Sequence, residues 1–204
     1  KQKTEEGMDW SALFKTINDI IIEIDTHFPY KVISVPHAEG DDVIAILAKN
    51  IQEKSIIISS DKDFSQLHKY KHIKQYSPIQ KKMLTTSNPY KYLQEHIIRG
   101  DKGDGVPNIL SADDCIVKGE RQKPITKKKL AVWMEQSDMA NGLSVKWKRN
   151  QQLIDFEYIP ENISKGIMDS YAKKKDDNKQ GQLLNYFITN RLKYLMENIE
   201  DFIR

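Results

Sequence analysis

Apolar positions recur every three or four residues early in the chain, at Trp10, Leu13, Phe14, Ile17, Ile20, Ile21 and Ile24. This spacing predicts a helix, with Asp9 as its N-cap and Phe28-Pro29 as its stop. Lys31 to Val35 reads as a short strand closed by Pro36. A second helix is expected from about Asp41 to Gln52, with Val43, Ile44, Leu47, Ala48 and Ile51 on its inner side. Ser55 to Ser60 is a β-branched run with the pattern of a buried parallel strand. Helix, strand, helix and strand in that order predict a parallel sheet joined by right-handed crossovers.

A short helix carrying Phe64 and Leu67 follows. His72 to Tyr76 and Lys82 to Thr85 can pair as a hairpin at the sheet edge. Ser87-Asn88-Pro89 opens another helix, with Pro89 in its first turn, Tyr90, Leu93 and Ile97 inward, and Gly100 as terminator. Beyond Gly100 the pattern changes to loops and helices. Gly105 to Asn108 is a turn, Ser111 caps a short helix to Val117, and Pro124 starts one to about Gln136. Further helices are expected over 147–156, 161–172 and 182–203, with a polar connection over 173–181. The pattern predicts an α/β fold: a parallel-sheet core over residues 1–100 and a helical C-terminal region over 101–204. No internal repeat is visible.

Composition narrows the class. At 204 residues with 30% charged and 39% hydrophobic, the chain suits a soluble globular protein of one large domain, or a core with a helical extension. No apolar run reaches the roughly 20 residues of a membrane span. Cys115 has no partner for an intrachain disulfide, which favours an intracellular, cytoplasmic protein. His37, His68, His72 and His96 have no zinc-ligand spacing with cysteine. There is no Walker A loop and no dinucleotide fingerprint.

Carboxylates supply the candidate chemistry. The two expected strands deliver Glu39, Asp41, Asp42, Asp61 and Asp63 to the carboxyl-end edge of the sheet, where open α/β sheets bind ligands. A third group, Asp101 and Asp104, sits in the glycine-rich turn after Gly100. Each group has a plain structural explanation when taken alone: helix capping for Glu39, Asp41 and Asp42, and loop polarity for the others. Together, massed carboxylates resist desolvation unless divalent cations neutralise them, which points to a two-metal phosphodiesterase site. The net charge is only +3, but six basic residues between Lys118 and Lys129 face only Glu120. Lesser basic patches lie at Lys69 to Lys74 and Lys173 to Lys175. An acidic edge beside a basic segment suits a phosphate-backbone ligand. Trp133 and Trp147 fit helix packing better than base stacking.

His37-Ala38-Glu39-Gly40-Asp41-Asp42 resembles the E-A-D-D motif of the 5′ nuclease (flap endonuclease) family. Ser59-Ser60-Asp61-Lys62-Asp63 resembles its S-x-D-x-D motif, and Gly100-Asp101-Lys102-Gly103-Asp104 its G-D-x-x-D motif. Ile58 to Tyr70, Gly119-Glu120-Arg121 and Leu153 to Pro160 are similar to the bacteriophage branch of that family. The resemblance covers essentially the whole chain.

It implies a PIN-like nuclease core with a helix-hairpin-helix-like element in the helical region. The implied activity is a structure-specific 5′-to-3′ exonuclease and flap endonuclease that removes RNA primers and adjacent DNA during phage replication, in the cytoplasm of the infected host. Asp41, Asp61 and Asp63 are the catalytic residues it implies. Asp41 and Asp61 hold a first Mg²⁺ with Glu39 and Asp42 beside it; Asp63, Asp101 and Asp104 hold or orient a second. Mn²⁺ can substitute. Lys102, Lys118, Arg121, Lys123, Lys127, Lys128 and Lys129 are the implied DNA contacts. The implied substrates are DNA and RNA–DNA duplexes with 5′ ends or flaps. The resemblance also implies a monomer that works with a single-strand-binding protein and a sliding clamp, and no membrane.

Two features depart from the family pattern. The chain opens on Lys1, whereas family members carry an upstream segment with the first strand, further aspartates and a basic arch. Asn108-Ile109-Leu110-Ser111 also stands where cellular members have a G-I-G turn that binds a monovalent ion. The competing readings are a non-catalytic duplex-DNA-binding module and a PIN-like ribonuclease; the basic run after Gly105 argues against the latter.

Overall fold

The first helix, α1 (Trp10–His27), forms where the apolar period places it, and Asp9 caps it by accepting a hydrogen bond from the Ala12 amide at 3.0 Å. The computed structural model describes residues 8–135, 141–173 and 179–202. Gln136, Lys174, Lys175, Ile203 and most of the expected 173–181 connection lie outside the described residues. Two compact units emerge: the chain ends up to Ser34 and from Asp169, and the stretch Val35–Met168. Position 100, the division expected from sequence, falls inside the second unit.

In the unit built from the chain ends, α1 meets α7 (Lys179–Thr189), where Leu183 and Phe187 are fully buried. His27 stacks on Tyr186, and Phe28 packs edge-on against Phe187 and Phe202. Toward its N-terminus, α1 leaves Trp10, Phe14 and Ile17 exposed, so its apolar stripe does not become a buried face. The single helix expected over 182–203 is interrupted. Arg191 adopts φ 55, Leu192 donates its amide to Phe187 O at 2.9 Å in a helix-closing turn, and α8 (Lys193–Glu197) starts afresh.

The Val35–Met168 unit holds a three-stranded mixed sheet in the order β1 (Ser55–Ile58), β2 (Ile73–Ser77), β3 (Lys82–Leu84). β1 and β2 are parallel, with Ser55 opposite Ile73. The connection between them runs through a 3-10 helix at Asp63–Lys69, long enough for a parallel crossover. β2 and β3 form the expected antiparallel hairpin, with Gln75 opposite Leu84. Residues 31–35 carry no regular secondary structure, contrary to the expected strand. A strand needs a ladder partner, and among the described residues β1 pairs only with β2. β1 is also not buried on both faces: Ile57 is buried, while Ile56 and Ile58 are 59% and 72% exposed on this sheet edge.

Helix α2 (Gly40–Asn50) lays Ala45 and Ala48 on a core of Ile57, Phe64, Leu67 and Ile73. Its other side, with Ile46, meets Ile163 and Ile167 of α6 (Glu161–Ala172). Helix α3 (Pro89–Arg99) starts at an Asn88 cap and ends at Gly100 with φ 67. It buries Ile97 and Ile98 against Ile109, Leu130 of α4 (Lys127–Glu135) and Ile154 of α5 (Asn141–Ile154). Each such side chain is worth about 1.5–3 kcal/mol on burial. Helix α5 begins six residues before the expected Trp147.

The helix expected over 111–117 is absent; residues 109–119 run as successive turns where the helix-hairpin-helix-like element was expected. The Ser111 hydroxyl that would cap that helix is engaged elsewhere, donating to Asn108 Oδ1 at 2.9 Å and accepting from the Lys123 amide at 2.8 Å. Asn108 Oδ1 also accepts from the amides of Leu110 and Ser111, both at 3.0 Å, in an Asx turn.

Candidate metal centre

Three chain segments supply the acids, and Asp61 links Asp41 electrostatically to Asp63 and, through it, to Asp101 and Asp104. Glu39, Asp41 and Asp42 stand at the N-terminus of α2. Asp42 Oδ2 accepts from the Glu39 amide at 3.0 Å, so this carboxylate caps the helix. Asp41 Oδ1 accepts from the Asp42 amide at 2.9 Å. Burial raises the Asp41 carboxyl, and the negative charges of Asp42 and Asp61 raise it further.

The second cluster is fixed from the sheet. Gln75 of β2 is fully buried and donates to the carbonyls of Ser59 at 2.9 Å and Asp61 at 2.6 Å. Its own side-chain oxygen meets His68 Nε2 at 3.0 Å. Ser60 and Ser77 share a hydroxyl hydrogen bond of 2.7 Å. The loop after β1 is thereby pinned to β2, and Asp61 Oδ1 accepts from the Asp63 amide at 2.9 Å. Asp61 is exposed while Asp63 is half-buried.

The third cluster forms where α3 ends. Asp101 Oδ1 accepts from the amides of Gly103 at 2.7 Å and Asp104 at 3.3 Å, and the Asp101 carbonyl accepts from Val106 at 2.6 Å. Burial pushes the Asp101 carboxyl up, but the Asp104 and Gly103 amides and His96 together hold it below its ordinary value. Asp63 has no such cradle. Burial pushes its carboxyl up to about 6; the positive potential of His96 opposes that, while Asp61, Asp101 and Asp104 add to it.

Two side chains not singled out from sequence stand among these acids. His96, one turn before Gly100, places Nε2 3.1 Å from Asp101 Oδ2 and Nδ1 3.3 Å from Asp63 Oδ1. Donor atoms of Asp63, His96 and Asp101 all lie within 4.8 Å of one another, which fits a divalent cation. Tyr92 packs edge-on against His96, and its phenol is pushed up to about 12 by burial and by the charges of Asp63, Asp61 and Asp101. Sequence spacing could not reveal either, since they belong to a helix more than thirty residues after β1. Gln75 did carry a signal: it is a polar residue at an inward position of a strand.

The basic candidates divide. Lys102 and Arg121 line one cavity of about 260 Å³; Arg121 and Lys123 line another of about 300 Å³ with Arg99. Asn108 ties this strip to the third acidic cluster, its amide donating to Gln122 Oε1 at 2.8 Å and its Nδ2 to Lys123 O at 2.9 Å. Arg149 and Asn150 brace the same loop through Pro107 O, both at 2.9 Å. Lys118 instead pairs with Asp114 at 2.6 Å. Lys127, Lys128 and Lys129 are exposed on the first turn of α4. Among the described residues, no helix is long and apolar enough to cross a membrane.

A sheet-edge cluster of carboxylates beside a basic loop defines a metal-dependent nuclease of the 5′-3′ exonuclease class. Residues 9–97 match the family described as 5′-3′ exonuclease, N-terminal resolvase-like domain, and residues 86–202 match T4 RNase H, C terminal. The chain belongs to this 5′-3′ exonuclease family, in its T4 RNase H branch. The Ribonuclease H of Enterobacteria phage T4 is 33% identical over 215 aligned positions, which cover 99% of this chain and 70% of that protein.

Proposed function

We propose that the chain is a Mg²⁺-dependent 5′-to-3′ exonuclease and flap endonuclease that hydrolyses phosphodiesters in RNA–DNA and DNA duplexes near 5′ ends, removing primers during phage replication. The observation that carries this reading is the electrostatic coupling of Asp61, Asp63, Asp101 and Asp104, extended to Asp41 through Asp61. Carboxylates gathered this closely, with one forced toward its protonated form, lack their counter-charge.

Asp41 and Asp61 are the residues to hold a first cation, with Glu39 and Asp42 at its side; Asp63, Asp101 and Asp104 serve a second. When bound, Mg²⁺ supplies Lewis acidity toward the scissile phosphate and a water activated for attack. The chain does the rest. Asp61 is exposed and reaches substrate, whereas Asp101 is kept ionised by its two amides and so stays ready to bind a cation. The Tyr92 phenol, protonated at every physiological pH, remains a hydrogen-bond donor. Lys102, Arg121 and Lys123 engage backbone phosphates, giving affinity without sequence preference.

The test is cleavage of a 5′-labelled RNA–DNA hybrid and a flap duplex by the protein and by Asp61→Asn, with Mg²⁺. Cleavage that falls about a hundredfold or more in the variant is expected. Cleavage indifferent to the substitution would place the chemistry elsewhere. Duplex binding without any cleavage would favour the non-catalytic binding module.

A further inference from the structure

The imidazole of His96 is not part of the family's carboxylate motifs, yet it lies between two of them. Its two nitrogens face different oxygens, and the contacts are not equivalent. Nε2 to Asp101 Oδ2, at 3.1 Å, has hydrogen-bond geometry. Nδ1 is buried and, among the described residues, has no hydrogen-bond partner, although Asp63 Oδ1 is 3.3 Å away. The proton therefore belongs on Nε2, donated to Asp101. Nδ1 is then the nitrogen that faces the Asp63 carboxylate, in a site whose acids are only partly buried. The position between Nδ1 and Oδ1 is one that either a proton, as in a His96–Asp63 ion pair, or a cation can fill.

A cation there would meet both atoms. An octahedral ion with bonds of about 2.1 Å sets neighbouring ligand atoms about 3 Å apart, close to the observed separation of Nδ1 and Oδ1. An imidazole that ligates through one nitrogen while its other N–H is held by a carboxylate is the usual arrangement of a metal-binding histidine. His96 meets both conditions: Asp101 orients the ring, and Nδ1 points to where Asp63 offers an oxygen.

We propose that His96 is a direct metal ligand, making the Asp63 subsite a mixed nitrogen–oxygen seat rather than an all-carboxylate one. The inference rests on the metal-dependent reading above and refines it. Nitrogen ligation shifts preference away from Mg²⁺, which favours oxygen and water, toward later first-row divalent ions. The subsite built on Asp63 and His96 accordingly selects ions such as Co²⁺ over Mg²⁺, while the Asp41 and Asp61 subsite does not.

The experiment is pulsed EPR of the protein loaded with Mn²⁺, reading ¹⁴N coupling, together with Co²⁺ and Mg²⁺ titrations of the protein, His96→Ala and His96→Gln. His96→Gln retains a side-chain N–H for Asp101 but has no imidazole, so it serves if the alanine variant fails to fold. The expected result is ¹⁴N coupling in the unaltered protein and its loss in the variants. Co²⁺ affinity at one site should fall about tenfold or more, and Mg²⁺ affinity by less than about threefold. Absence of ¹⁴N coupling in the unaltered protein would overturn the proposal and leave His96 only an ion-pair partner of the two carboxylates. The nuclease reading fails separately, through the Asp61→Asn assay. A protein that cleaves nothing but shows the coupling would keep the His96 ligand while losing the catalytic assignment.

Discussion

Asp63 is the residue at which the site's charge problem concentrates. Its carboxyl rises from the ordinary 3.8 to about 6, by burial first and then by the neighbouring acids, against the opposing His96. An acid whose folded pKa exceeds its unfolded one binds its proton more tightly in the native state. The stability it contributes is complete below about pH 4 and is lost as pH rises through about 6. Asp63→Asn removes that loss at nearly constant volume. With EDTA present, the variant should be more stable than the unaltered protein at neutral pH by about 1–3 kcal/mol, the difference closing near pH 4. Saturating Mg²⁺ should reverse the order, because only the carboxylate binds the ion well; a hundredfold excess over Kd is worth about 2.7 kcal/mol. Thermal unfolding across pH, with and without EDTA, measures both. A variant already less stable in EDTA at neutral pH would contradict this account of the cluster.

At the level of elements, the parts set by local chemistry were legible. Asp9 and Asn88 cap the helices they were expected to start, and the 73–84 hairpin and the Gly100 terminator stand as the pattern predicts. The misreadings share one cause, a dependence on partners that a local pattern does not contain. Residues 31–35 have strand-like composition but no ladder. Ile56 and Ile58 read as buried yet lie on a sheet edge, and Ser111 reads as a helix cap, but its hydroxyl is taken by Asn108 and the Lys123 amide. Gly100 links element to site, since it turns the chain from α3 into Asp101. A Cβ there would lie 2.4 Å from Val106 O and 2.6 Å from Pro107 C, on top of φ 67. Gly100→Ala should cost roughly 2–4 kcal/mol and weaken metal binding through Asp101. Gly105→Ala is the control, because Gly105 has φ 76 but nothing within 4 Å of a Cβ, leaving only the strain of about 1–2 kcal/mol. Chemical denaturation of the two variants separates clash from conformation; equal losses would refute the packing argument.

Across the whole molecule, every candidate acid and base lies in the Val35–Met168 unit. The acids could be read from motif and spacing, but His96 and Gln75 could not be joined to them from sequence, because a parallel crossover and a helix end bring them there. The basic residues were legible as a run, not as individuals. Lys118 is engaged by Asp114, whereas Lys102, Arg121 and Lys123 line cavities in the loop that Asn108 holds to the Asp101 turn. That difference has a thermodynamic signature. Each side chain that neutralises one phosphate of a duplex steepens the fall of log K with log[salt] by about 0.9. Arg121→Ala and Lys123→Ala should therefore each flatten the slope by close to one unit, and uniformly across duplex sequences. Lys118→Ala should leave it nearly unchanged, since the Asp114 carboxylate already meets its ammonium. The measurement is duplex affinity against salt with EDTA present, so that binding is read without turnover. Equal slope changes for all three would mean that phosphates reach the run along its whole length and that the Asp114 pair opens on binding. A change confined to Arg121 and Lys123 would fix the path of the backbone past the carboxylate edge.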